Sequence, residues 1–174
     1  MVTALRLSPL ARVISAPAQL AALGGSEAPT IFWHVAKSPA TRRDASPVRS
    51  ARAVGHRVFV LGDGAEAIRI AAEAGADGAV LRRHGQNLHV DREGAFLVGV
   101  VCEDEAGALE AIGEGAHFLV VAPQRGPLQH RELEHLCAVV GIPVFAGWYP
   151  DALRLEQLQM AGAHGCAMVT TKSA

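Results

Sequence analysis

One three-residue signature recurs along the chain and limits what it can fold into. Gly75-Ala76-Asp77, Gly115-Ala116-His117 and Gly162-Ala163-His164 each follow apolar residues at helical spacing and precede a short apolar run. Gly94-Ala95-Phe96 and Gly141-Ile142-Pro143 stand at similar junctions between them. The clearest copy lies within His56 to Arg83, HRVFVLGDGAEAIRIAAEAGADGAVLRR. Val58 to Leu61 reads as a strand, and Gly62-Asp63-Gly64 breaks it. Ala65 to Ala74 reads as a helix with Glu66, Arg69 and Glu73 mostly on its polar side. Gly75 ends that helix, as glycine does where the chain turns left-handed. Ala79 to Leu81 is the next strand. A helical crossover joins parallel strands, and a strand buried on both faces is continuously apolar, as these are. A period of about 40 residues also occurs in helical solenoids, but helix pairs leave no place for an apolar run after each glycine. Each period is read as two strand–helix units.

Taken in order, the remaining strands are Ala11 to Ala16, Thr30 to Val35, Ala95 to Cys102, His117 to Ala122, Ile142 to Ala146 and Cys166 to Val169. Helices are expected over Ala18 to Leu23 (a stub), Val48 to Val54, Ala106 to Ile112, Gln129 to Val140 and Asp151 to Met160. Ser38 to Pro47 and Arg82 to Glu93 read as polar loops. Eight strands alternating with helices predict a compact (β/α)8 TIM barrel in one domain, residues 1–174, lacking the last helix. At 174 residues the chain is shorter than the roughly 200 at which such barrels usually begin. An open doubly wound sheet is the alternative. The missing helix predicts exposed apolar surface on strands one, seven and eight, and hence a homodimer.

Composition removes several function classes. Half of the residues are hydrophobic and formal net charge is -1, with no long block of one sign. Binding to nucleic acid or a membrane surface is not expected. Cys102, Cys137 and Cys166 lie far apart and form no CxxC, which argues against a disulfide scaffold and suits a reducing cytoplasm. No apolar run approaches the roughly 18 residues of a membrane span. The N-terminus, broken by Arg6, Pro9 and Arg12, does not read as a signal peptide.

In both candidate folds ligands bind at the carboxyl ends of the strands. The residues there are Lys37, Asp63, Arg82, Arg83, Glu103, Asp104, Gln124, Arg125, Trp148, Tyr149, Thr170, Thr171 and Lys172. Asp63, between two glycines, has the chemistry of a weak Mg²⁺ contact completed by phosphate oxygens. It is equally suited to cap the following helix. Arg82, Arg83, Arg125 and Lys172 match phosphate, and Thr170 and Thr171 end the strand where barrels often bind it. Trp33, Trp148 and Tyr149 end strands and either line a pocket or pack in the core or at the rim. His117 and His164 begin strands, on the face opposite the expected site, and read as structural. Cys102 reads as a small buried hydrophobe. No Walker loop, GxGxxG or HExxH occurs.

From about Val58 to Thr171 the residue order resembles the thiamine phosphate synthase and thiazole tautomerase family. The resemblance is carried by AAEAGADGAVL, LVGVVCEDEAGALEAIGEGAHFLVVAP, IPVFAG and QMAGAHGCAMVTT. It implies a (β/α)8 barrel, and for the synthases Mg²⁺-dependent joining of a pyrimidine pyrophosphate to a thiazole phosphate. The functional motifs are eroded. The family's Asn-Asp after strand three is Gly62-Asp63, which keeps the metal-binding Asp. Val80 replaces a His, and Gly85 replaces the second metal-binding Asp. Val101 and Glu103 replace a Ser and a His. Ala122-Pro123 replaces Gly-Pro, and the following loop with its Thr and Lys is shortened. Trp148-Tyr149 replaces a Gly-Gly phosphate loop, and Thr170 corresponds to a Ser. Near strand two only Lys37 remains of Gln-x-Arg-x-Lys. Gln124 or Arg125 stands where a tautomerase carries a His.

The resemblance therefore implies a barrel that binds a phosphorylated heterocycle, with synthase activity weak or lost. The ligand-binding set is Lys37, Arg82, Arg83, Glu103, Gln124, Arg125, Trp148, Tyr149, Thr170 and Thr171, with Asp63 toward Mg²⁺. The alternatives are a non-catalytic binding or regulatory barrel and an oligomeric structural protein.

Overall fold

Eight apolar runs become eight parallel strands that close on themselves. The computed structural model describes residues 7–15, 19, 30–34, 46–82, 96–126, 128–149 and 154–169. The strands are β1 (Leu10–Ile14), β2 (Thr30–His34), β3 (Arg57–Asp63), β4 (Gly78–Arg82), β5 (Leu97–Cys102), β6 (Phe118–Val121), β7 (Val144–Tyr149) and β8 (Gly165–Val169). The described helices are α1 (Ser46–Ala53), α2 (Gly64–Ala74), α3 (Glu105–Gly113), α4 (His130–Val140) and α5 (Leu155–Met160). Strands β1 and β8 pair through Leu10↔Cys166, Ala11↔Ala167, Arg12↔Met168 and Val13↔Val169, which rules out the open sheet. The expected stub at Ala18 to Leu23 lies outside the described residues apart from Gln19.

Helix ends follow local chemistry. Gly75 adopts φ 68° after α2, and its amide bonds back to the helix carbonyls. Asp104 caps α3 by accepting from the Gly107 amide at 2.8 Å. Gln129 and Glu132 form a reciprocal capping box at the start of α4, satisfying amides that the helix itself cannot.

Side-chain alternation divides the core in two. Inward residues include Ala11, Val13, Phe32, Phe59, Leu61, Val80, Phe118, Val120, Phe145 and Ala167. Four of them form an aromatic floor, with Phe32, Phe59, Phe118 and Phe145 in ring contacts of 5.2–6.2 Å between centroids. Outward residues pack beneath the helices. One such cluster joins Val100, Leu119, Val121, Val144, Ala146 and Cys166 to Leu133, Leu136 and Leu158.

The repeated signature has a common role at the amino-terminal face. Asp77 pairs with Val58 through two bonds, its amide to the Val58 carbonyl at 2.8 Å and the Val58 amide to its carboxylate at 2.9 Å. His117 repeats this with Val98, at 2.8 Å to the carbonyl and 3.1 Å from the amide to Nδ1. His164 bonds its amide to the Val144 carbonyl, stacks edge-on against Phe145, and donates from Nε2 to the Leu7 carbonyl at 2.9 Å. The structural reading of His117 and His164 therefore holds.

Two expectations need correction. Strand β7 runs past Ala146 to Tyr149, because the chain bulges between Gly147 and Tyr149 and resumes pairing at Met168. The apolar surface expected to lie bare on strands one, seven and eight is mostly covered. Ile14, Val144, Ala146 and Cys166 are buried, and Leu10 and Met168 are partly buried against the core. The basis on which a homodimer was expected is thereby removed.

Candidate functional site

The same alternation that fills the interior carries polar residues to the carboxyl-end rim. On β3 the inward series Phe59, Leu61 continues to Asp63, and on β4 Val80 continues to Arg82. Asp63 and Arg82 are register partners across these strands. Asp63 is exposed and occupies the N-cap position of α2, but its side chain makes no capping hydrogen bond. The capping alternative is thus realised in position without its bond.

Beyond β5 and β6 the second polar pair forms. Gln124 donates from Nε2 to Glu103 Oε1 at 2.6 Å. The strands beneath them are tied by the Ala122 amide to the Cys102 carbonyl at 2.8 Å. Both residues are exposed, as is Arg125 in the same turn. Sequence reading proposed Glu103 and Gln124 separately; nothing in their spacing of 21 residues revealed the pair.

At β7 the two aromatics separate. Tyr149 is buried and packs in the outer cluster beneath the helices, so it does not line the mouth. Burial pushes its phenol above the ordinary value, the Arg154 guanidinium opposes this, and the nearby Cys166 adds to it. Trp148, in the bulge, belongs to neither the inner nor the outer core cluster and is 37% exposed. The preceding Gly147 faces inward, since a Cβ there would lie 3.1 Å from Val120 Cγ1 and 3.8 Å from Ala122 Cβ. The backbone that carries Trp148 therefore runs beside the end of β6.

Lys37, Arg83, Thr170, Thr171 and Lys172 lie outside the described residues. Among the described residues no group of three or more His, Cys, Asp or Glu could share a metal ion. At the rim of β3 and β4 the donor set is one carboxylate, Asp63, next in register to a guanidinium, Arg82. A two-carboxylate Mg²⁺ site does not fit that pair. Thr30 and His56 are buried polar residues that begin or precede strands, and Tyr149 buries its phenol in the outer cluster. The interior between floor and rim is apolar, so the polar chemistry described here is confined to the rim.

Comparison with known proteins agrees with this architecture. No family model matches the sequence. A protein of Geobacter sulfurreducens named "Putative thiamine-phosphate synthase" is 30% identical over 115 residues, covering 59% of this chain and 54% of the relative. The match thus spans about half the length of that curated relative. The thiamine phosphate pyrophosphorylase of Pyrococcus furiosus superposes with a TM-score of 0.76 at 19% identity, over 94% of this chain and 86% of the other. A designed cube-shaped cage made by fusing symmetric oligomeric domains gives a TM-score of 0.70 at 20% identity, over 95% of this chain and 64% of that one. No helix among the described residues is long and apolar enough to cross a membrane. The chain is thus a closed eight-stranded barrel in fold, similar in sequence over part of its length to a putative thiamine-phosphate synthase.

Proposed function

We propose that the rim binds a phosphorylated heterocycle of thiamine metabolism and that synthase turnover is weak or lost. The observation that carries this reading is the contrast between rim and interior. Arg82 and Arg125 stand at strand ends with the chemistry to hold phosphate oxygens, while the positions below them, Val80, Val101 and Ala122, are apolar. Arg83, Lys37, Thr170 and Thr171 complete the anion-binding set in this proposal. Mg²⁺ enters only with the ligand's phosphates, with Asp63 as its protein contact. A fold held in common does not bring activity with it, because function follows the site.

Isothermal calorimetry with pyrophosphate, with and without Mg²⁺, tests the proposal. Binding that weakens in Arg82→Ala and Arg125→Ala supports it; no measurable binding to the parent protein rejects it.

A non-catalytic regulatory barrel is the second reading, favoured by the apolar interior. A cytoplasmic location accompanies both readings, supported by Cys102, Cys137 and Cys166 forming no disulfide. A homodimer is also proposed, now through the exposed Leu109, Val139 and Met160 on α3, α4 and α5. Sedimentation showing only monomer at micromolar concentration argues against it.

A further inference from the structure

From the bulge in β7 and its neighbours at the ends of β5 and β6 we infer a second recognition element, distinct from phosphate binding: Trp148 is a stacking platform for a flat, positively charged heteroaromatic ring, with Glu103 supplying the balancing charge. This deepens the proposed ligand site and rests on the rim being that site.

The argument begins with what the bulge does to one side chain. Gly147 pairs with Ala167 and Tyr149 with Met168, which leaves Trp148 as the extra residue between two paired ones. Bulges of this kind re-aim side chains beside functional sites. The result is an indole that contributes to neither core cluster, in a strand whose other residues are all buried. An aromatic side chain of that size is normally placed where it removes the most apolar surface from water. Here Val144, Phe145, Ala146 and Tyr149 do so, and Trp148 does not.

The second part is the charge beside it. Ala122, 3.8 Å from the Cβ position of Gly147, leads two residues later to Gln124, and Gln124 holds Glu103 at 2.6 Å. The amide of Gln124 orients the Glu103 carboxylate without neutralising it. Asp104 follows, also exposed but engaged in capping α3. An exposed indole in β7, and beyond β5 a carboxylate oriented by Gln124 from the end of the intervening β6, together suit a planar cation. Trp is the best of the aromatic side chains for cation–π attraction, and a carboxylate adds an opposite charge. A neutral ring gains only stacking, and an anionic one meets Glu103.

A matched pair of probes separates these cases: 1-methylnicotinamide, a planar heteroaromatic cation, and nicotinamide, its uncharged counterpart. Binding is followed by calorimetry and by quenching of tryptophan fluorescence. The expected result is at least about threefold tighter binding of the cation. Trp148→Phe retains that preference in reduced form, Trp148→Leu loses it, and Glu103→Gln brings the two probes to similar affinity. Circular dichroism confirms that each variant is folded, and the Phe variant serves if the Leu variant is not. Equal affinity of the two probes for the parent protein overturns the inference, as does undiminished cation preference in Trp148→Leu. A Phe variant with no cation preference counts against it when the Leu variant is unfolded. Pyrophosphate binding is measured in the same variants. Its absence from the parent rejects the phosphate reading, whereas its retention alongside equal probe affinity rejects the stacking inference alone.

Discussion

Phe118 lays its ring in the space that a side chain at Gly99 would need. A Cβ built on Gly99 would sit 2.3 Å from Phe118 Cε2 and 2.4 Å from Cζ. The two residues are register partners on β5 and β6, and Phe118 also contacts Phe32, Phe59 and Phe145, so it has little freedom to withdraw. Gly99→Ala is therefore expected to destabilise the barrel by about 1–3 kcal/mol, the usual cost of overpacking. Urea unfolding checks this, and Phe118→Leu in the Ala background should cost less than the two single changes summed, because neighbouring sites do not add.

The signature residue Asp77 holds more than one partner. Besides Val58 it faces Arg52 and Arg57, each at 3.3 Å, with its own side chain only 10% exposed. Asp77→Ala leaves the Val58 amide without its acceptor and is expected to cost about 1–3 kcal/mol. Asp77→Asn retains an acceptor and should cost less. Equal unfolding midpoints for the parent and both variants would contradict the role assigned to this residue.

Tyr149 gives a stability signal at high pH. Its folded pKa is raised above the ordinary value of 10.0, so above that pH the unfolded chain loses its proton first. Stability is fully present below the unfolded pKa and is lost as pH rises through the folded one. Tyr149 is the chain's single tyrosine, so tyrosinate absorbance reports it alone. The expected titration midpoint lies above that of the denatured chain. Tyr149→Phe should flatten the alkaline fall in Tm, and an unchanged fall would assign it to other groups. Burial raises the Cys137 thiol in the same sense, so Cys137→Ala is the companion variant.

Turnover of the two substrates implied by the resemblance, a pyrimidine pyrophosphate and a thiazole phosphate, is expected to be weak or absent with Mg²⁺. Loss of one electrostatic contact to developing charge can cost about 10²–10³ in rate. Here Gly85 stands where a second carboxylate is expected, and the loop lysine is missing. Robust product formation that Asp63→Ala abolishes would reverse this reading.

Much of the scaffold was legible because it is local. Periodicity and glycine punctuation locate α2, and its left-handed Gly75 is found as expected. Continuous apolar runs similarly locate β3 to β6. The end of β7 was not legible, since a bulge depends on what the neighbouring strand offers, and Trp148-Tyr149 reads the same with or without one. Nor can alternation be counted across it, so the sequence leaves Tyr149 between pocket and core, and the structure puts it in the core beneath the helices. At the site, strand-end position alone brought Asp63, Arg82, Glu103 and Gln124 forward. The Glu103–Gln124 bond needed the sheet, because register and not spacing sets which strand ends meet. The Gly-Ala-Asp/His echo did carry the signal for the amino-terminal pairs, in a polar residue placed before an otherwise apolar strand.

Those pairs give the closed sheet a grain. Asp77 fastens β4 to β3, His117 fastens β6 to β5, and His164 fastens β8 to β7, each donating its backbone N–H to a carbonyl of the earlier strand at 2.8 Å. Between β4 and β5 the corresponding contact is a main-chain bond from the Leu97 amide to the Asp77 carbonyl at 3.1 Å, with no side-chain bond beside it among the described residues. The strips β3–β4 and β5–β6 are thus double-stitched, and the seam between them is plainer. A chain severed in the polar stretch after Arg82 would be cut at that seam, leaving both strips whole, and its two halves would retain the edges by which they find each other.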